Sequence, residues 1–216
     1  GLVVVARTSG AVNERRGIGL LLVGARTPGV QGADYKVYDG SRAGDLRLDD
    51  VVLGEGALLG TEGEGQALLE HLIDLGIVAA CADALGAMGA LLRKTGEYVS
   101  TRKQFDVPIA SFQVIQHRLV DMFAAVEATR SLVLMAALHA EHLDAAVRSR
   151  TVSAAKAAIG ERARFVAQQG VQLHGGVGMT EELDIGHYFR RLTLFCNLFG
   201  SSDHHLQRFA ALRAAT

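Results

Sequence analysis

The sequence predicts a mainly α protein, in which a C-terminal helical bundle over residues 61–216 is preceded by a fragment of an antiparallel β domain over residues 1–60. Two features carry that reading. From Glu62 onward, apolar residues recur at three- and four-residue steps through very long segments, the spacing of a buried helix face. Before that point, short β-like runs alternate with glycine-containing turn sequences. Hydrophobic residues make up 49% of the chain, enough to drive a packed core rather than a disordered state.

In chain order, the β-like runs are Leu2 to Ala6, Ile18 to Val23 and Asp45 to Leu53, separated by Ser9-Gly10, Thr27-Pro28-Gly29 and Asp39-Gly40. Three strands without a covering partner are marginal alone, so they are expected to belong to a larger sheet. The chain opens at Gly1 directly in an apolar run, with no Met, turn or cap before it. It therefore reads as cut from something longer.

The first long helix is marked by Leu68, Leu69, Leu72, Ile73, Leu75, Ile77, Val78, Leu85, Met88, Leu91 and Leu92, which implies some thirty or more residues. Pro108 closes that region, because proline cannot continue a helix and restricts the residue before it. A second helix is predicted from about Ser111 to His142, with Val114, Leu119, Met122, Phe123, Val126, Leu132, Leu134 and Leu138 on its apolar side. A third, rich in alanine, is predicted from about Thr151 to Leu173, stopped by Gly175-Gly176-Val177-Gly178. Shorter helices fit Thr180 to Leu198 and Ser201 to Ala214. Long helices with short connections bury their apolar stripes against one another as a bundle.

Charge and composition exclude several function classes. The formal net charge is -1, so there is no basic excess to attract a nucleic-acid backbone or an anionic membrane. No run of eighteen apolar residues free of charge occurs, which argues against membrane insertion. Cys81 and Cys196 both fall in apolar helical pattern, the placement of buried free thiols in a reducing compartment. A cytoplasmic location is expected.

Several words then stand out, in order: Thr101-Arg102-Lys103-Gln104-Phe105, Ser111-Phe112-Gln113, Gln116-His117-Arg118, and Val171-Gln172-Leu173-His174-Gly175-Gly176-Val177-Gly178-Met179. They resemble the signature segments of acyl-CoA dehydrogenases. Gly44-Asp45-Leu46, Asp49-Asp50-Val51 and Gly63-Glu64-Gly65 look like the end of that family's middle β domain, so the resemblance covers nearly the whole chain. It implies a fold with a C-terminal helical FAD-binding domain, FAD as cofactor, and FAD-dependent α,β-dehydrogenation of an acyl-CoA thioester. It also implies a homotetramer or two-plus-two heterotetramer, and an electron acceptor protein as partner.

The resemblance further implies FAD contacts from Arg102, Gln104, Phe105, Gln113, Gln172, His174, Gly175, Gly176 and Ser202, with the arginine on the diphosphate, often that of a neighbouring subunit. Each position has a plainer reading beside it. Arg102 offers a fixed fork of donors suited to a diphosphate, but an arginine is also favoured at a helix C-terminus by the dipole. Gln113 opens a helix and could equally serve its first turn. The glycines let a ligand approach the backbone, and they also cap a helix. His174 has no accompanying set of spaced ligands, so a metal role is rejected.

The family's catalytic carboxylate is missing. Where many members carry a glutamate before the last helix, this chain reads Leu198-Phe199-Gly200-Ser201-Ser202-Asp203-His204-His205, placing Ser201 or Gly200 at that position. The alternative position on the first long helix is Gly76. Asp203 is the nearest carboxylate and the candidate base, set against a reading as a helix cap or first-turn acid. Asp74 reads as a solvated or paired helix residue. The His204-His205 pair and the absent glutamate resemble the base-lacking subunits of heteromeric family members, which leaves a non-catalytic subunit completing a partner's flavin site as the alternative function.

Overall fold

The computed structural model describes residues 1–214, which form two compact units, residues 1–73 and residues 74–214. In the first unit, β1 (Leu2–Arg7) and β2 (Ile18–Val23) pair antiparallel, with Leu2 opposite Val23 and Arg7 opposite Ile18. Later strands β3 (Val30–Lys36) and β4 (Arg42–Leu48) form a separate antiparallel hairpin, and the short β5 (Leu58–Leu59) joins the free edge of β2. Leu20 and Val23 are the buried anchors of β2. The loop between β1 and β2 is gathered by the Arg7 guanidinium, which donates to the carbonyls of Ser9, Val12, Glu14 and Arg16.

Two sequence expectations for this unit are corrected. The strand expected over Asp45 to Leu53 ends at Leu48, because Asp50 takes a left-handed φ of 49° and cannot continue an extended run. Val30–Lys36 was not expected to be a strand, since its Gly32 and Asp34 lower β propensity and its side chains lack a buried face to produce alternation.

The helices are α1 (Gly65–Thr101), α2 (Gln113–Leu138), α3 (Ala145–His174), α4 (Ile185–Asn197) and α5 (Ser202–Ala214). All five fall where periodicity placed them, and the mainly α class with a small antiparallel β segment is what the chain adopts. The boundaries moved for local reasons. Helix α3 starts six residues earlier than expected because Asp144 caps it, accepting from the backbone N–H of Ala146 at 2.8 Å and of Val147 at 3.3 Å. It ends at Gly175, whose φ of 63° is the left-handed conformation glycine adopts at no steric cost.

Helix α3 is the core of the second unit, packed against α2, α4 and α5. Its contact with α1 is so close that a Cβ on Gly170 would stand 2.8 Å from the side-chain carbons of Leu91. Helix α1 is long and apolar enough by composition to cross a membrane, with a mean hydropathy of 1.9 in its most apolar 18-residue window. Its charge pattern is that of a protein-packed helix: Asp74 is fully buried, and its carboxylate accepts from Arg148 Nε at 3.3 Å, Ser149 Oγ at 2.6 Å and Arg208 Nη1 at 2.9 Å. Asp74 is thus a buried tie between α1, α3 and α5, the paired alternative of its sequence reading. Both cysteines are buried free thiols, and burial pushes Cys81 up to about 12.

Candidate functional site

Three helix ends meet at one end of the bundle. In the last turn of α1, the Tyr98 ring stacks on His174 at the end of α3 with centroids 4.4 Å apart, and the Tyr98 hydroxyl donates to the His174 carbonyl at 3.3 Å. The first turns of α2 reach the same place, where Arg118 donates to Gln169 of α3 at 2.8 Å. Between α1 and α2 the chain folds a two-residue hairpin, β6 (Lys103–Gln104) against β7 (Val107–Pro108), and the Ile109 N–H returns to the Arg102 carbonyl at 2.9 Å. Arg102, Gln104, Phe105, Gln113, Gln172, His174, Gly175 and Gly176 are thereby brought to one end of the bundle.

The hairpin tip is unusual. Phe105 and Asp106 both take left-handed φ values, 56° and 63°, in a turn that normally uses Asn and Gly. The Phe105 ring is 87% exposed, touching Phe112 only edge-on at 6.1 Å between centroids. The ring is thus held outward from the chain's own core on left-handed backbone.

The polar groups around it are free to serve a ligand. The guanidinium of Arg102 and the amides of Gln113 and Gln172 are exposed and have no hydrogen-bond partner among the described residues, and open space lies over Gly175 and Gly176. Gln104 is exposed as well, with its amide donating to the Lys103 carbonyl at 2.9 Å. His174 is buried, its Nδ1–H donating to the Gly170 carbonyl at 2.8 Å, and burial lowers its pKa, so it stands as a neutral ring with Nε2 as the acceptor. Among the described residues no cluster of His, Cys, Asp and Glu suited to a metal ion occurs.

Ser202 and Asp203 lie elsewhere. The Ser202 hydroxyl donates to the Ala157 carbonyl at 3.0 Å, in the middle of α3, about 25 Å along the helix from His174 at the usual rise per residue. Asp203 is exposed in the first turn of α5, but it is not the helix cap: the Ser201 hydroxyl accepts from the His204 N–H at 3.3 Å and takes that place. The cap reading of Asp203 is corrected accordingly, leaving it a first-turn acid suited to the dipole.

The turn before α5 holds one of the two positions where a carboxylate was sought, and Gly76 of α1 is the other. A Cβ on Gly76 would lie 2.9 Å from Phe199 Cζ, so the α1 position and the turn before α5 face one another across a single ring. The turn is pinned by Lys156, which sequence reasoning missed, and by His205, which it singled out only as part of the His204-His205 pair. Lys156, fully buried, donates through Nζ to the carbonyls of Phe195 and Gly200, each at 3.0 Å, and lies 4.4 Å from the centre of the Phe195 ring. It compensates the carbonyl end of α4 with a charge while burial lowers its pKa. The signal was legible: Lys156 is the one cation in the run from Thr151 to Gly160, and it lies on the stripe that α3 buries. His205 donates through Nε2 to the Phe199 carbonyl at 2.9 Å.

His205 Nδ1 is buried with no partner among the described residues, so a second proton there would have nothing to bond. Burial first, and then the nearby Lys156, His204 and Arg208 charges, push its pKa down to about 4 from the ordinary 6.5, against the opposing pull of the Phe199 carbonyl. The unfolded chain therefore takes up this proton first. The contribution of His205 is complete above the ordinary value and is lost as pH falls from about 6.5 toward 4. Thermal unfolding followed across that window should show Tm falling with pH, with a shallower fall in His205→Gln; equal slopes in both proteins would contradict the assignment.

Sequence comparison closes the question of kinship. A family model described as acyl-CoA dehydrogenase, C-terminal domain, matches residues 63–212. The chain belongs to the acyl-CoA dehydrogenase family. It is 31% identical to a probable acyl-CoA dehydrogenase, YngJ, of Bacillus subtilis, over 98% of this chain and 56% of that protein. Butyryl-CoA dehydrogenase of Megasphaera elsdenii superposes with a TM-score of 0.82 at 28% identity, over 97% of this chain and 55% of that one. The ChsE4-ChsE5 complex of Mycobacterium tuberculosis superposes with a TM-score of 0.84 at 28% identity, over 99% and 55%. The chain spans about half the length of the relatives it matches. Acyl-CoA dehydrogenases are FAD-dependent flavoproteins, and the free guanidinium, the two free amides and the open glycine backbone form a donor set that fits a flavin diphosphate.

Proposed function

We propose that this chain is the C-terminal part of an FAD-dependent acyl-CoA dehydrogenase subunit, acting in a heteromeric enzyme whose partner supplies the catalytic base. Residues 1–60 are assigned to the end of a middle β domain and residues 61–216 to the helical FAD-binding domain. The observation that carries the reading is the contrast between two regions: Arg102, Gln113 and Gln172 at the bundle end are free for a flavin, while the base positions hold Gly200, Ser201 and Gly76, the last closed over by the Phe199 ring. In a heteromeric relative such as the ChsE4-ChsE5 complex, two different chains assemble, and the same arrangement suits a chain without a base.

α,β-Dehydrogenation removes a proton from C2 and a hydride from C3 of the thioester, and bound flavin supplies the hydride acceptor. The chain's own residues then have limited tasks. Arg102 holds the diphosphate with a two-pronged donor, Gln104, Gln113 and Gln172 fix its orientation, and Gly175 and Gly176 allow close approach of the backbone. Phe105 and His174 supply packing. Ser202, some 25 Å away, serves the opposite end of a flavin site, so the contacts are divided between neighbouring subunits. Helix α2 exposes Val120, Phe123, Leu134 and Leu138, an apolar stripe that suits a tetramer interface. A cytoplasmic location fits the two buried free thiols, and reoxidation falls to an electron acceptor protein.

A second reading, a purely structural subunit completing a partner's flavin site, is favoured by the absence of a carboxylate at both positions. Asp203 decides how far the chain participates. As an exposed first-turn acid it has no dry surrounding to make it a base. Asp203→Asn is expected to leave the rate of anaerobic flavin reduction by acyl-CoA within about twofold, whereas loss of a general base costs about a hundredfold or more. A hundredfold loss at normal FAD content would make Asp203 the base and remove the need for a partner's carboxylate.

A further inference from the structure

We propose that the cavity between the last turns of α1, the end of α3 and the start of α4 binds a small organic cation, an ammonium or guanidinium head on an alkyl stem. The proposal goes beyond the dehydrogenase reading and does not depend on it. The cavity measures about 270 Å³, somewhat below the ~300–1,000 Å³ of sites for drug-sized ligands, so it suits a small molecule. Of the residues assigned to flavin, its lining contains only His174. That residue marks it as a built site. His174 is 5% exposed, its Nδ1–H is taken by the Gly170 carbonyl, and Nε2 has no partner among the described residues. Nε2 is not one of the fully enclosed unpartnered atoms, so it reaches the cavity that its ring lines. The Nδ1 bond and the Tyr98 ring stacked 4.4 Å away hold the imidazole in that orientation. An acceptor in so enclosed a place is unfavourable to leave unpaired, and a donor on a ligand satisfies it.

The remaining polar groups select the sign of the ligand. The Thr101 hydroxyl gives its hydrogen to the backbone carbonyls of Glu97 and Tyr98, at 3.2 and 3.1 Å, and the Tyr98 hydroxyl gives its own to the His174 carbonyl, so both present only lone pairs. The Glu97 carboxylate is exposed and makes no hydrogen bond or ion pair among the described residues. Lys94, the one cation of the lining, is held by Asp184 at 3.0 Å. With Lys94 positive, Glu97 and Asp184 negative and His174 neutral, the lining carries one net negative charge. Every free polar group is thus an acceptor, which an anion has no means to satisfy and a cationic donor meets with charge-assisted hydrogen bonds. The imidazole and carboxylates do not form a group able to hold a metal ion, so the charge is met by an extended organic cation. Leu183, Ile185 and the Tyr98 ring provide the apolar wall along which an alkyl stem lies.

The experiment uses the full-length protein, alone and assembled with its partner subunit where one co-purifies. Binding of agmatine, an alkylguanidinium, and of its uncharged analogue butylurea is measured by calorimetry on wild type, Glu97→Gln and His174→Phe, with flavin content read separately from the visible spectrum. Wild type is expected to bind agmatine about tenfold or more tightly than butylurea, and Glu97→Gln to weaken agmatine by about tenfold or more, the scale of a hydrogen bond to a charged group. Glu97 is exposed and outside the flavin set, so that variant should keep the wild-type fold and flavin content. His174→Phe keeps a ring against Tyr98 but removes the acceptor, and should weaken agmatine by about fivefold. Agmatine binding retained in the assembly assigns the site to a free cation; binding by the lone subunit that is lost in the assembly assigns it to a lysine or arginine side chain of the partner. Agmatine binding in neither form, agmatine bound no more tightly than butylurea, or equal affinity in wild type and Glu97→Gln overturns the proposal and leaves the dehydrogenase reading intact.

Discussion

Arg102→Ala should purify with most of its flavin lost, the variant binding FAD about tenfold to a hundredfold more weakly than wild type, because charge-assisted hydrogen bonds contribute about 1.5–3 kcal/mol each. The guanidinium is exposed at the end of α1 and bonded to no described residue, so its removal leaves the fold unharmed and acts on the ligand alone. Arg102→Lys should restore part of the affinity at most, since an ammonium keeps the charge but lacks the planar fork. Flavin absorbance per protein after gel filtration, with circular dichroism to show equal helix content, provides the measurement. Normal flavin occupancy in Arg102→Ala would remove this residue from the site.

The second large effect falls on stability. Asp74→Ala would leave the Arg148 guanidinium, whose side chain is 8% exposed, and the partly buried Arg208 facing one another without their shared carboxylate. Breaking a buried ion pair in this way costs about 3–5 kcal/mol, a large share of the roughly 5–15 kcal/mol that keeps a domain folded. A strongly lowered Tm or an insoluble variant is expected. Because buried ion networks can be exchanged for apolar packing, Asp74→Leu combined with Arg148→Met and Arg208→Met should recover much of the loss. If Asp74→Ala melted at the wild-type temperature, the tie between α1, α3 and α5 would carry no net stabilisation.

The helices were legible because each buries a stripe that repeats every three or four residues, and their number and order followed from that alone. Their ends were less so: nothing apolar marks Asp144, which sets the start of α3 through two backbone hydrogen bonds. The β3 strand escaped notice because both its faces are largely exposed, leaving no alternation to read. Of the candidate site, the words around Arg102 and Gln172 lay in plain view, since they sit at helix ends where core packing does not dictate residue type. The opposition of Gly76 and Phe199 was invisible, because residues more than a hundred positions apart meet only through the packing of α1 against the turn before α5. Lys156 stood out as the one cation on a buried stripe, but the backbone carbonyls that it and His205 hold are not visible in the sequence.

The central claim, a flavin-holding dehydrogenase subunit that borrows its base, is tested most directly by anaerobic titration of the full-length protein with an acyl-CoA thioester while the visible spectrum is recorded, alone and together with a co-purifying partner subunit. Flavin absorbance is expected, with rapid bleaching on thioester addition only when the partner is present. A preparation with no flavin in either form, or rapid bleaching by this chain alone, would contradict it.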